Sequence, residues 1–100
     1  MTPYEITERI FAEREKQDIK HPNLPKYFLH PITDPCKEHL KMATVYMKQD
    51  NDLAEEKLEH SWYSIMREEL YESFCETEQE KINDEVIQLA ALCYRYLESH

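Results

Sequence analysis

The sequence of 100 residues contains no glycine, which excludes the glycine-rich loops that hold phosphates in P-loop and dinucleotide-binding folds. Its three cysteines are far apart and include no Cys-x-x-Cys pair, so neither a disulfide framework nor a structural zinc site is expected. Basic residues number 12 against 21 acidic ones, and the net charge of −9 predicts no direct binding to nucleic acid. Because a leader-like start and a long apolar run are both lacking, we expect a cytoplasmic protein without a membrane anchor.

The residues that are present suit a folded helical protein. Hydrophobic residues make up 41% of the chain and aromatic residues 11%, which is enough to form a core despite the acidity. No stretch alternates strictly between apolar and polar residues, so no strand is predicted. We therefore expect one all-α domain over residues 1–100, and a helical domain this small often completes its core by forming oligomers.

The periodicity predicts a bundle of four helices. Prolines interrupt residues 21–35, which we interpret as a long loop of the kind that is often functional. The expected helices cover residues 3–20, 34–52, 53–76 and 77–100.

Local sequence signals mark three of the helix starts. Thr2 is placed to cap the first helix, with Pro3 at its first position and Glu5 completing a capping box. Asp34-Pro35 is interpreted as the start of the second helix. Thr77-x-x-Glu80 predicts another capping box at the start of the fourth.

Carboxylates lie within the apolar faces of the third and fourth helices. On a helical wheel, the residues within about 60° of Glu69 are Leu58, Trp62, Ile65, Met66 and Ser73. Glu72 lies about 60° to the other side of Glu69. In the fourth helix, the residues within about 60° of Glu85 are Ile82, Leu89, Leu92 and Tyr96.

Acids in such positions favour a bound cation. A buried carboxylate needs a proton, a basic partner or a metal ion, and several facing carboxylates need one more strongly. Because Glu69, Glu72 and Glu85 have no cluster of His or Cys beside them, the expected ion is hard, either Mg²⁺ or Mn²⁺. The alternative is that these acids form an ordinary solvated helix face.

The motifs around these acids resemble those of the MazG-like, all-α nucleoside triphosphate pyrophosphohydrolases. Residues 68–72 (EELYE) are similar to the EExxE motif, and residues 85–88 (EVIQ) occupy the place of the ExxD motif. Residues 13–17 (EREKQ), 62–66 (WYSIM) and 84–91 (DEVIQLAA) resemble flanking segments of phage-type members. The resemblance covers most of the chain except the proline-rich loop.

The resemblance implies a MazG-like bundle that forms homodimers or homotetramers and hydrolyses a nucleotide. Such enzymes bind Mg²⁺ between two helices and cleave a nucleoside triphosphate to the monophosphate and pyrophosphate. By this resemblance Glu69, Glu72, Glu85 and Gln88 would be metal ligands, and Glu68 and Glu69 would be the catalytic residues. Gln88 departs from the family pattern, which has Asp there. An amide oxygen can still coordinate, but it brings no charge.

Two further residues are candidates for substrate binding. Lys81 precedes Glu85 by one turn and is placed to contact a phosphate, although a solvated lysine is the alternative. Trp62 is placed to stack on a base, although a tryptophan in the core or at a subunit interface is the alternative. A second apolar stripe, Tyr63, Leu70 and Phe74, indicates burial on two sides of the third helix and hence a subunit interface.

Two rival functions use the same scaffold. One is a catalytically silent, acidic interaction protein of phage type that modulates a host protein. The other is a nucleotide binder that sequesters its ligand without cleaving it. If the chain is phage-encoded, its expected location is the host cytoplasm.

Overall fold

The protein is all-α in a computed structural model, which describes residues 1–57 and 60–100. Its helices are α1 (Pro3–Lys20), α2 (Lys37–Glu56), α3 (Trp62–Cys75) and α4 (Gln79–Glu98). The described residues contain no strand, which confirms the predicted fold class.

Helix α1 has the predicted bounds. The Thr2 hydroxyl accepts a hydrogen bond from the Glu5 backbone N–H at 3.2 Å, and Pro3 begins the helix. Ile6 is buried, and the amino group of Met1 donates to the Leu97 carbonyl at 3.1 Å. The start of α1 is thereby joined to the end of α4.

Helix α2 begins later and ends later than the sequence predicts. Asp34 does not cap it, because its carboxylate accepts a hydrogen bond from the His30 backbone N–H at 2.6 Å, within the preceding turn. The helix starts at Lys37 instead. It continues past residues 50–52 to Glu56, since Asn51 points its amide at α3 rather than at its own backbone.

Two predictions about α3 and α4 are wrong. Helix α3 starts at Trp62 rather than at residue 53, because the Ser61 and Ser64 side chains each accept a hydrogen bond from the other's backbone N–H. Leu58 of the predicted apolar stripe lies outside the described residues. No capping box forms at Thr77: Glu78 precedes α4, and its side chain makes no capping hydrogen bond.

The helices form an open row in the order α2–α3–α4–α1. Among the described residues, α3 contacts both α2 and α4, whereas α1 contacts α4 only. Buried apolar side chains are few: Ile6, Leu40 and Ile82. The radius of gyration is 15.8 Å, whereas a compact domain of this length has about 13 Å.

The proline-rich segment packs against α3 through one aromatic contact. The Phe28 and Phe74 rings lie 5.5 Å apart between centroids. None of the described helices is both long enough and apolar enough to cross a membrane.

Candidate metal centre

Antiparallel packing of α3 and α4 brings three predicted carboxylates together. Each of Glu69, Glu72 and Glu85 can offer one carboxylate oxygen, and these three oxygens lie within 4.8 Å of one another. Glu69 and Glu72 are neighbours along α3, and the short connection before α4 turns the chain so that Glu85 faces them. All three side chains are half-buried.

The environment of the cluster disfavours three free charges. Burial raises the pKa of Glu72 to about 7, with further contributions from the charges of Glu69, Glu85 and Glu68. Burial and the nearby Glu85 likewise raise the pKa of Glu69. Protons therefore bind this cluster unusually well, as is expected for carboxylates that share one site.

Two buried oxygen atoms in the cluster lack a partner. Among the described residues, neither Oε2 of Glu69 nor Oε2 of Glu85 receives a hydrogen bond. A buried acceptor without a donor is destabilising, and a cation relieves that cost without requiring a donor. The set of carboxylate oxygens therefore fits a hard divalent ion such as Mg²⁺ or Mn²⁺.

Glu68 lies beside the cluster and is held by α2. Its Oε2 accepts a hydrogen bond from Nδ2 of Asn51 at 2.6 Å, and the same amide donates to the Ser64 carbonyl at 2.9 Å. Asn51 is buried. Glu68 is thus positioned toward α2, while its charge still contributes to the raised pKa of Glu69 and Glu72.

Asn51 is a site residue that the sequence interpretation missed. Residues 50–52 looked like a helix end, so Asn51 was assigned to a turn. A usable signal was present, because Asn51 follows Leu40, Thr44 and Met47 at the spacing of one helix face.

The structure does not bring Gln88 or Lys81 into the group of three acids. Gln88 follows Glu85 by about one turn of α4, and its side chain is exposed. Lys81 forms an ion pair with Glu78 at 4.0 Å, and its side chain is 60% exposed. The solvated alternative for Lys81 therefore matches its observed surroundings.

Trp62 lies about two turns of α3 before the cluster. Its ring meets the Tyr96 ring edge-on, with centroids 5.7 Å apart, and is half-buried. It lines a cavity of about 360 Å³ together with His60, Ser61, Ile65, Leu92 and Arg95. A second cavity, of about 230 Å³, shares His60 and Ile65 with it and is lined by Glu68 and Asn51. A recessed surface therefore extends from Trp62 toward the acids.

No protein-family model, curated protein or solved structure matches this chain at a significant level.

Proposed function

We propose that this chain is a nucleotide pyrophosphohydrolase that depends on Mg²⁺ or Mn²⁺ and forms a nucleoside monophosphate and pyrophosphate. The observation that carries the proposal is the convergence of three carboxylate oxygens within 4.8 Å, two of whose residues also have a buried oxygen without a partner. These acids occupy the positions of the EExxE motif and of the first residue of the ExxD motif, which makes the resemblance the best guide to the reaction.

The proposed roles follow from the surroundings of each side chain. Glu69, Glu72 and Glu85 would hold the ion. A bound divalent ion would neutralise phosphate charge and lower the pKa of water in contact with it. Glu68 would orient the attacking water and accept its proton, because the hydrogen bond from Asn51 fixes its carboxylate beside the cluster. Gln88, exposed on the next turn of α4, would be a neutral outer ligand.

Substrate binding would use the recessed surface next to the acids. The nucleotide base would stack near Trp62, whose cavity adjoins the one that Glu68 lines. Lys81 would have to leave Glu78 to reach a phosphate, and an exposed ion pair of this kind is weak enough to permit that.

The finer description of the fold and location is also a proposal. We propose that the row of helices belongs to a MazG-like bundle that is completed between chains, in a homodimer or homotetramer. The location that suits such an enzyme is the cytoplasm.

A non-catalytic function is the second candidate, and Gln88 favours it. This residue replaces a carboxylate of the family pattern, so an ion held here meets one charge fewer. A chain with a net charge of −9 could then act as an acidic interaction protein toward a host partner, or sequester a nucleotide.

The decisive experiment is a screen of nucleotides with Mg²⁺ and with Mn²⁺, in which pyrophosphate release is measured. We expect activity in the wild type, loss of at least tenfold in Glu72→Gln, and full activity in Glu80→Gln, whose glutamate is exposed at the start of α4. Wild-type protein that is as inactive as Glu72→Gln toward every nucleotide would reject the enzyme. A nucleotide-dependent rise in melting temperature would then indicate sequestration rather than protein binding.

A further inference from the structure

The single chain exposes more surface than its size requires. A folded monomer of 12.2 kDa exposes about 6,100 Å², whereas this chain exposes 8185 Å². The proline-rich segment and the apolar side chains of the open row share this excess. A standard protein interface removes about 800 Å² from each partner, so the excess is large enough for a substantial interface.

One apolar groove stands out on the open row because three helices contribute to it. It has a volume of about 380 Å³ and is lined by Met47 of α2, Leu89 of α4 and the α3 residues Tyr63, Met66, Arg67 and Leu70. Tyr63 is 69% exposed and Leu70 is 36% exposed. Tyrosine, methionine and arginine around an apolar groove are typical of protein interfaces.

Arg67 supplies the chemical requirement of this groove. Its guanidinium carbon lies 5.0 Å from the centroid of the Tyr63 ring, so the charge is stacked on an aromatic face. Its Nε is buried and lacks a hydrogen-bond partner, and Arg67 forms no ion pair with any residue in 1–57 or 60–100. A carboxylate from outside this chain would satisfy the donor, and the chain itself, with 21 acidic residues, is a rich source of carboxylates.

We propose that a second copy of this chain packs on the groove formed by α2, α3 and α4, with Arg67 of each copy paired to a carboxylate of the other. A two-fold arrangement places the same groove on both sides of the contact and closes the assembly as a dimer. This arrangement supplies the second layer that the open row lacks.

The interface and the carboxylate cluster occupy different sides of α3. Leu70 lies about 100° around the helix from Glu69 and about 160° from Glu72. The second copy therefore leaves the acids accessible, and the dimer does not depend on metal or on nucleotide hydrolysis.

The first test is the mass in solution by light scattering at micromolar concentration. We expect twice 12.2 kDa for the wild type, with and without chelator. Leu70→Lys and Arg67→Ala should each raise the dimer dissociation constant at least tenfold. Leu24→Lys, at a side chain that is 86% exposed in the proline-rich segment, should not. A wild-type mass of 12.2 kDa would overturn the proposal.

A footprint of the wild type locates the interface even if the variants fail to fold. Tyr63 and Tyr4 have similar exposure in the single chain, 69% and 75%, so both should react with a tyrosine-modifying reagent if the chain is alone. We expect protection of Tyr63 and not of Tyr4, with Tyr63 becoming reactive on dilution below the dissociation constant. Reactive Tyr63 in a dimer, or protection of Tyr4 alone, would place the interface elsewhere and overturn the proposal.

Discussion

The side-chain amide of Asn51 joins α2 to α3 through a hydrogen bond of 2.6 Å to Glu68. The amide is buried and donates both of its protons across the helix contact, the second to the Ser64 carbonyl. The candidate site is therefore built from three helices rather than two, since α2 determines where the first carboxylate of the EELYE segment can point.

Replacing Asn51 should affect both stability and the site. We expect Asn51→Ala to lower the free energy of unfolding by about 1–3 kcal/mol, because the Glu68 carboxylate and the Ser64 carbonyl lose a buried donor. Asn51→Asp should be worse, since it places a like charge against Glu68. Urea unfolding measures the effect, with Asn23→Ala, in the exposed part of the chain, as the control. Equal stability of all three variants would show that this contact is unimportant.

A second contact from α2 supports the end of α3. The Lys37 ammonium group donates to the backbone carbonyls of Phe74, at 3.3 Å, and Glu76. These carbonyls belong to the unsatisfied C-terminal end of the helix, where a positive charge is favourable. We expect Lys37→Met to lower the free energy of unfolding by about 1–2 kcal/mol. Lys41→Met, which removes only an exposed pair with Glu38, should change it by less than about 0.5 kcal/mol.

The sequence predicts the elements that depend on local signals and misses those that depend on distant contacts. Helix α1 was predicted at its observed bounds because Thr2 and Pro3 act within one turn. The boundary between α2 and α3 was wrong because residues 50–52 resemble a helix end, and only the contact of Asn51 with α3 explains why the helix continues.

The candidate site divides in the same way. Helical spacing alone predicts that Glu69, Glu72 and Glu85 share one seam, and their oxygens do converge. The same spacing says nothing of the hydrogen bond that turns Glu68 toward α2, nor of the exposure of Gln88. The role of each acid toward a metal ion stays a prediction.

The raised pKa of Glu72 predicts a specific pH dependence for metal-free protein. The ordinary pKa is 4.5, and in the folded protein it is raised to about 7. Between these values the folded state binds more protons than the unfolded state, so this group's stabilisation is present below about pH 4.5 and lost as the pH rises through about 7. In chelator, the melting temperature should fall between about pH 5 and pH 8. The fall should be smaller in Glu72→Gln and unchanged in Glu80→Gln, and a flat wild-type profile would contradict the raised pKa.

Metal binding should oppose this loss. A ligand at a hundredfold excess over its dissociation constant stabilises the native state by about 2.7 kcal/mol if it binds that state alone. We expect Mg²⁺ or Mn²⁺ to raise the melting temperature, more at pH 8 than near pH 5, because protons and the ion compete for Glu69 and Glu72. Calorimetry should show the rise in Glu80→Gln but not in Glu85→Gln. An unchanged wild-type melting temperature at millimolar metal would argue against the site.

The last prediction concerns Gln88, which departs from the family pattern. If Gln88 is a weakened ligand, Gln88→Asp adds a charge on the turn after Glu85 and should tighten Mg²⁺ binding. If the amide instead suits a different ion arrangement, the added carboxylate repels Glu85 and gives little gain. In either case Glu72→Gln should be more damaging than any change at Gln88, because Glu72 lies inside the group of converging oxygens whereas Gln88 is exposed. A lost ligand that costs about 1.4 kcal/mol of transition-state stabilisation lowers the rate tenfold. Hydrolysis should therefore be compared among the wild type, Glu72→Gln and Gln88→Asp at one Mg²⁺ concentration. Activity in the wild type that Glu72→Gln loses supports the enzyme. Activity that appears only in Gln88→Asp identifies the natural protein as a scaffold without catalysis, because a single restored carboxylate would then be all that the site lacked.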